Sequence, residues 1–409
     1  MIGISAPQKN ESLEAIRGLA SLNVALSHYL ISFFPFVGNF LWNGHDFTTR
    51  PVTQRYDWEG FFGAFPFTLL FNGTFPVCIF FALSGYVLSA SFIYTGRYEA
   101  LRSAALKRYP RIVIPVLVSV LVTWALIASG AMSTWMARSI GAAPWLTDIY
   151  SKPVPLLSAI WTGAIGAPLL GEVSINVPLW TIKIEIIASF MLFAAYALAG
   201  NRRPYLAAAF FIAGVVALFP SSDMAIYYMT FFAGSLVHYS KRYLGRLEIA
   251  GGILIAFGIF LGAFDYSPRL EWFAGIVPSI GWLNATKMQV SYSIGALCLL
   301  AGVVTSARAS AWLERPILVY TGKISFGLYL LHWPIICSLG FAVVGALLNL
   351  GVSYPIAVGG SAIVTFAAIF TAAAAFTRFV DSPATELGKR LARRQGATAI
   401  DEALGQAVR

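Results

Sequence analysis

Charged residues are scarce in this chain. They make up 11% of its 409 residues, whereas a soluble domain usually carries about 25%. This scarcity excludes a soluble globular protein and a disordered chain. Cysteine is also scarce: the three cysteines lie inside apolar runs and form no CxxC pattern, so a secreted disulfide scaffold is excluded. The sequence contains no P-loop, no dinucleotide fingerprint and no cluster of metal ligands, and we predict that no metal is bound.

Long apolar runs dominate what remains. Hydrophobic residues make up 58% of the chain. Ten runs are apolar enough to be predicted as membrane spans, at approximately 14–35, 67–93, 112–130, 178–199, 205–219, 225–239, 249–264, 288–305, 324–349 and 354–377. The segment 131–177 mixes Trp with Pro and Gly and is predicted to be interfacial or re-entrant backbone. The fold class is therefore an all-α integral membrane protein with about ten transmembrane helices.

The distribution of Lys and Arg predicts how these helices are oriented. If both termini are cytoplasmic, the cytoplasmic segments carry 21 of the 28 basic residues and the opposite side carries six. Cytoplasmic loops are enriched in Lys and Arg, so this division favours an N-in, C-in topology. It also accounts for the net charge of +10 without nucleic acid as a partner. Residues 1–383 are predicted to form one membrane domain, and residues 384–409 a short basic cytoplasmic tail that includes a surface helix.

Ionisable residues inside the predicted spans are candidates for function, because burying them in a bilayer is costly. Arg17 and His28 lie 11 residues apart in the first span, which places them on one helix face about 16 Å apart. This spacing suits a long ligand with an anionic head at Arg17 and a reactive end at His28. The alternative is a snorkelling arginine and a hydrogen-bonded core histidine, neither with a functional role.

A compact basic cluster precedes the third span, in KRYPRIVIP at 107–115. Arg108 and Arg111 suit a phosphate group because a guanidinium can bind two oxygens at once. Pro110 and Pro115 are predicted to shape the turn that leads into the span. The alternative reading of the cluster is an ordinary positive-inside anchor, which is favoured for Lys107.

Two further motifs carry ionisable groups into the predicted membrane. In PLWTIKIEI, at 178–186, Glu185 and Lys183 point to different faces of a helix, so Glu185 needs another partner. That partner is either a histidine such as His28, which Glu185 would orient, or a basic residue in a structural ion pair. In ISFGLYLLHWPII, at 324–336, His332 lies well inside the ninth span. A structural hydrogen bond to backbone kinked near Pro334 is the alternative to a functional role for it.

FFALSGYVLSASF, at 80–92, contains Ser84 before Gly85 but not the GxSxG motif of hydrolases. Small residues in this motif favour close approach of two helices.

Together these motifs resemble those of the family 3 membrane acyltransferases. The matches follow the family's order and lie between residues 13 and 383: LEAIRGLASLNVALSHY, FFALSGYVL, KRYPRIVIP, PLWTIKIE, ISFGLYLLHWPI and RFVDSP. Thr181 stands where the family usually has Ser, and Asp381 where it usually has Glu. The resemblance implies a ten-helix enzyme that moves an acyl group from cytoplasmic acyl-CoA to a hydroxyl, usually of a carbohydrate. We therefore expect a multi-pass protein of the bacterial cytoplasmic (inner) membrane.

The resemblance also implies roles for individual residues. His28 takes the catalytic position, with Glu185 beside it, and Arg17 takes the position of the paired arginine. Arg108 and Arg111, together with Lys107, are expected to face the phosphates of the acyl-CoA co-substrate. Trp180 and His332 are candidates for the lining of a substrate tunnel. The expected partners are acyl-CoA, with acetyl-CoA favoured, a carbohydrate or glycoconjugate acceptor, and membrane lipid.

The chemistry at His28 is open at this point. The imidazole acts either as a general base on the acceptor hydroxyl or as a nucleophile that carries the acyl group. A second hypothesis from another class is a proton-coupled transporter in which His28, Glu185 and His332 form a proton relay. A third is a scaffold or sensor in which the buried ionisable residues are structural.

Overall fold

The structure is a computed structural model that describes residues 10–42, 51–219, 222–244 and 248–393. Helices make up most of these ranges. No β-strand occurs within them, and the extended backbone pairs at one isolated bridge, between Ile280 and Ala285. The prediction of an all-α fold is confirmed for this part of the chain.

The α-helices are numbered in chain order. The first nine are α1 (Glu11–Phe33), α2 (Asp57–Phe62), α3 (Thr74–Thr95), α4 (Tyr98–Ala128), α5 (Ala137–Ile140), α6 (Leu156–Trp161), α7 (Trp180–Ala199), α8 (Pro204–Leu218) and α9 (Ala225–Leu244). The remaining helices are α10 (Glu248–Gly262), α11 (Glu271–Ala274), α12 (Lys287–Thr305), α13 (Ala307–Leu313), α14 (Pro316–Lys323), α15 (Ser325–Ile335), α16 (Phe341–Asn349) and α17 (Tyr354–Phe376). Three π-helical segments continue α6, α15 and α17, at Thr162–Leu170, Ile336–Gly340 and Thr377–Asp381.

Six helical stretches in the described ranges are long and apolar enough to cross a membrane. They are Thr74–Thr95, Tyr98–Ala128, Val177–Ala199, Lys287–Thr305, Ser325–Asn349 and Tyr354–Arg393. Three apolar helices are shorter: Leu156–Leu170, Pro204–Leu218 and Glu248–Gly262. Helix α1 has 23 residues but is not among the six stretches or the three shorter apolar helices. It carries the polar residues Arg17, Asn23 and His28. A multi-pass membrane protein is indicated, while ten spans and their absolute orientation stay predictions.

Each predicted span coincides with a helix, but the boundaries differ most at α4. The predicted span began at residue 112, whereas α4 begins at Tyr98. Pro110 and Pro115 therefore lie inside the helix, and the prediction of a turn before the span is wrong. The preceding residues, rich in Ala, Leu, Arg and Lys, are good helix formers, so the basic cluster extends the helix rather than interrupting it.

The segment 131–177 contains more helix than the sequence indicated. Short helical turns at Thr134–Met136, α5 and Pro144–Asp148 lead to α6, which continues as a π-helix to Leu170. Gly171, with a φ of 80°, ends that helix in the left-handed region that glycine tolerates. Pro168 lies within the π-helical part, where wider backbone spacing replaces the regular hydrogen-bond ladder.

Segments that the charge count places on one side of the membrane contact one another in the structure. Glu248, at the start of α10, accepts a hydrogen bond of 2.7 Å from Ser306, which caps α13. Helix α17 continues without a break to Arg393, and Gly388 on this extension lies against the backbone of Lys107 in α4. The predicted tail helix is thus present as far as Arg393, and residues 394–409 lie outside the described residues.

The segments predicted on the opposite side are also in contact with each other. Arg55 donates to the carbonyl of Ile140 over 3.2 Å, and Arg269 donates to the carbonyl of Phe65 over 2.6 Å. The grouping of loops therefore agrees with the charge count, independently of which side is cytoplasmic.

Glycines set the closest helix contacts around the centre of the molecule. A Cβ on Gly85 of α3 would collide with the backbone of Phe231 in α9, and one on Gly234 would collide with Ala82. The interpretation of FFALSGYVL as a close helix-packing motif is confirmed at Gly85. Gly322 of α14 similarly lies against the backbone of Glu14, which fixes the first turns of α1.

Candidate active site

Two histidines form the centre of the site. His28 of α1 and His332 of α15 face each other, with 2.8 Å between His28 Nδ1 and His332 Nε2. Their ring planes are within 15° of parallel. The indole of Trp333 lies edge-on to His28, with 5.2 Å between ring centroids. The chain thus brings together two histidines that are 304 residues apart in sequence.

The environment of His332 is dry and tightly fixed. His332 is fully buried, and its Nδ1 lies 3.1 Å from the carbonyl oxygen of Leu328, one turn earlier. The structural hydrogen bond expected near Pro334 is therefore present, but its acceptor lies before the histidine. Pro334 lacks an N–H, and the carbonyl of Leu330 four residues earlier accepts from the Asn176 side chain over 3.0 Å.

Residues of the motif around Thr181 form hydrogen bonds with α15, the helix that carries His332. The hydroxyl of Tyr329 in α15 lies 2.8 Å from Thr181 Oγ1 and donates to the carbonyl of Pro178 over 2.7 Å. The substitution of Thr for the family's Ser keeps this hydroxyl contact. Trp180 is half-buried and packs against Tyr227 of α9, with 5.6 Å between ring centroids. Its place in a substrate tunnel stays a prediction.

Arg17 and His28 lie on the same continuous helix, as their spacing predicts. Helix α1 runs without interruption through both, so the two side chains point from one face about 16 Å apart. The side chain of Arg17 is a quarter exposed and forms an ion pair of 2.9 Å with Glu14, one turn earlier. Arg17 therefore lies at the partly accessible end of the face that carries His28 at its other end.

Arg108 and Glu185 form an ion pair inside the helix bundle. The Arg108 side chain is 9% exposed and that of Glu185 18% exposed. Arg108 also donates to Ser189 Oγ over 2.8 Å, and Ser84 donates to Glu185 Oε1 over 2.6 Å. Of the two partners considered for Glu185, the structure shows the basic residue rather than a histidine. The guanidinium of Arg108 is buried and contacts protein groups, and its expected role in binding a ligand's phosphates stays a prediction.

Ser84 and Ser189 belong to this hydrogen-bond network, a role that the sequence did not predict for either residue. Ser189 lies four residues after Glu185, a spacing that brings it beside the same helix face and that could have suggested it. Ser84 was assigned to helix packing because it precedes Gly85. The structure shows that packing and the hydrogen bond to Glu185 occur in the same motif.

Arg111 is the accessible member of the basic cluster. It is exposed on α4 and forms no ion pair within the described residues. It lies close enough to Arg17 and Arg108 to interact with both electrostatically, and Lys107 also lies in its field. Asp381, from the π-helical continuation of α17, interacts with Arg111 and Arg17. Arg17, Lys107 and Arg111 thus form one cationic group, with the acidic Glu14 and Asp381 beside it.

A bundle of apolar helices in which His28 and His332 lie 2.8 Å apart is compatible with group-transfer chemistry. The chain belongs to the family 3 acyltransferases, whose acyltransferase domain matches residues 10–376. The protein is therefore a membrane acyltransferase. RFVDSP, at 378–383, lies just beyond the matched residues.

A curated relative is similarly described. The chain is similar to Acyltransferase R4 of Phoma sp., with 22% identity over 80% of this chain and 82% of the relative. No solved structure matches the chain.

Proposed function

We propose that the protein is an O-acyltransferase that moves an acyl group, most simply acetyl, from cytoplasmic acyl-CoA to a hydroxyl of a carbohydrate or glycoconjugate. The observation that carries this proposal is the shared face of α1. It bears His28, held by His332, at one end and Arg17, beside the exposed Arg111, at the other. The separation of about 16 Å suits a donor whose phosphates and reactive thioester lie far apart.

The donor's phosphates would bind Arg111, Arg17 and Lys107. Arg111 is exposed and has its charge available, whereas Arg108 is committed to Glu185 and Ser189. Arg108 then acts on the donor site indirectly, by holding α4 against α7 so that Arg111 stays beside Arg17. The thioester arm would extend along α1 toward His28.

At the thioester, His28 would act by one of two balanced routes. As a general base it removes the proton of the acceptor hydroxyl, the oxygen attacks the thioester carbonyl, and the CoA thiolate leaves and receives the proton. As a nucleophile its nitrogen attacks the carbonyl and CoA leaves as the thiolate; the acceptor hydroxyl then attacks the acyl-imidazolium, its proton passes to the thiolate, and neutral imidazole is regenerated. Both routes require a neutral imidazole with a free lone pair.

The acceptor would approach from the side opposite Arg17 and Arg111. On that side the segments 51–66, 131–177 and 265–287 lie together, joined by the contacts of Arg55 and Arg269. We propose that these segments determine which acceptor is bound. We also propose that the protein resides in the bacterial cytoplasmic membrane, with Arg17, Lys107 and Arg111 toward the cytoplasm.

The donor site is tested by binding of acetyl-CoA and free CoA to detergent-purified protein, measured by calorimetry. Arg111→Gln should weaken binding about 10- to 100-fold, the value of one charge-assisted hydrogen bond. Arg102→Gln is the matched control, because Arg102 is exposed on the same helix but precedes the cluster. Its affinity should equal that of the wild type.

Two outcomes would count against the proposal. Equal affinity of wild type and Arg111→Gln would remove Arg111 from the donor site. Failure of well-folded wild type to bind CoA at all would favour the transporter hypothesis, which predicts solute flux in liposomes without any acyl donor.

A further inference from the structure

The hydrogen bonds around His332 determine which nitrogen of each histidine carries the proton. A backbone carbonyl can only accept, so the contact of 3.1 Å between His332 Nδ1 and the Leu328 oxygen requires a proton on Nδ1. A neutral His332 then has a lone pair on Nε2. The 2.8 Å contact with His28 Nδ1 requires one donor, and that donor is His28 Nδ1–H.

The alternative assignment would place a charge in the bundle. If His332 were an imidazolium, its Nε2–H would donate to His28, whose remaining proton would then occupy Nε2. His332 is fully buried, and its ring nitrogens contact a carbonyl and an imidazole rather than a carboxylate. The carboxylate of Glu185, which the sequence offered as a partner for a histidine, is paired with Arg108 instead. An unpaired buried cation is unfavourable, so the neutral assignment is preferred.

Resting on the proposed function of His28, we infer that His332 is a positioning residue that holds His28 in the Nδ1-protonated tautomer. His28 Nε2 is then the nitrogen with the free lone pair, and it is the atom that takes the proton or the acyl group. When Nε2 does so, His28 becomes a cation, and its Nδ1–H points at the lone pair of His332. A neutral imidazole thus takes the place that a carboxylate usually has behind a catalytic histidine.

The surroundings of His332 suit this role because they leave its ring little freedom. Trp333 stacks on Trp145, with 5.9 Å between ring centroids, and donates its indole N–H to Tyr150 over 2.8 Å. Tyr329, three residues before His332 in α15, is fixed by two hydrogen bonds. The packing of α15 therefore holds the His332 ring in the orientation in which it accepts a hydrogen bond from His28.

The tautomer can be measured directly, because the chain has only four histidines. Protein labelled with ¹⁵N-histidine gives imidazole signals that distinguish protonated from unprotonated nitrogens, and single substitutions assign them. For wild type without substrate we expect His28 with Nδ1 protonated and Nε2 unprotonated. Protonated Nε2 on His28 would overturn the inference, whatever the activity.

Substitutions at His332 test the consequence for turnover. His332→Leu removes the acceptor and should lower kcat for acetyl transfer about 100-fold, with KM for acetyl-CoA unchanged. His332→Gln supplies an acceptor oxygen and should recover at least a tenth of the wild-type kcat. In His332→Leu the His28 signals should shift toward the other tautomer. A merely structural role for His332 would instead lower the apparent kcat only in proportion to the loss of folded protein, and it would leave the tautomer of His28 in the folded fraction unchanged.

The role of His28 and the role of His332 are tested by different variants. If His28→Ala transfers acetyl groups at the wild-type rate, the proposed catalytic role of His28 is refuted, even if wild-type His28 is protonated on Nδ1. If His28→Ala is inactive but folded, CoA-binding His332→Leu has the wild-type kcat, only the positioning role of His332 is refuted.

Discussion

Removing one charge of the Arg108–Glu185 pair should cost more stability than removing both. The two side chains are 9% and 18% exposed, so whichever partner remains after a single substitution is left charged in a largely dry environment. Arg108→Met leaves Glu185 with the hydroxyl of Ser84, and Glu185→Leu leaves Arg108 with that of Ser189. A hydroxyl compensates only part of a full charge.

The size of the effect follows from this burial. Breaking a buried ion pair by removing one partner costs about 3–5 kcal/mol, and the partial exposure of Glu185 places both single variants near 3 kcal/mol. The double variant Arg108→Met/Glu185→Leu leaves no charge and should cost roughly 1 kcal/mol. The coupling energy is the difference between the double variant and the sum of the singles, and it is therefore about 5 kcal/mol in size.

The cysteines provide the assay. Cys78 and Cys337 are fully buried, so a thiol-reactive dye reports unfolding in detergent as these thiols become accessible. Each single variant should melt about 6 °C below wild type, and the double variant within about 2 °C of it. The exposed pair Lys389–Glu386 is the matched control, and neutralising either partner should leave Tm within about 1 °C.

An additive cycle would refute this reasoning. If the double variant melts at the temperature given by summing the two single effects, the charges do not depend on each other. If Arg108→Met melts like wild type and binds CoA more weakly, Arg108 belongs to the donor site after all.

Three further predictions test packing, ionisation and chemistry. Gly85→Ala should lower Tm by several degrees because its Cβ would meet the backbone of Phe231, whereas Gly359→Ala, with open space around it, should not lower Tm. Burial raises the pKa of Glu59, so ionisation opposes folding as the pH rises; Glu59→Gln should raise Tm near pH 8, and the gain should disappear near pH 4. His28→Ala should keep wild-type affinity for CoA and lose transfer of labelled acetyl groups in membrane vesicles by at least about 100-fold.

Features that depend on local sequence were predictable. Helix periodicity placed Arg17 and His28 on one face, and the structure shows both on the unbroken α1. The positions of the apolar helices were also predictable, because a long run of apolar residues is a local property of the sequence. The start of α4 was not predicted, because a basic cluster before a span resembles a loop although its residues favour helix.

Side-chain contacts between different helices of the bundle could not be predicted from the sequence alone. Glu185 was expected to meet either a histidine or a basic residue, and only the packing of α4 against α7 selects Arg108. His28 and His332 were both recognised as buried ionisable residues, but nothing in their spacing relates residues so far apart.

The shortness of α8 and α10 has a consequence for the lipid bilayer. Each has 15 residues and rises about 22 Å, whereas the hydrocarbon core of a bilayer is about 30 Å thick. Their outward side chains, such as Leu218 and Ile253, are apolar and highly exposed. As the membrane spans predicted from the sequence, α8 and α10 would each create a hydrophobic mismatch, and the lipid beside each helix would thin to cover it. Bilayers of shorter acyl chains should therefore fit the enzyme better beside these two helices than thick ones.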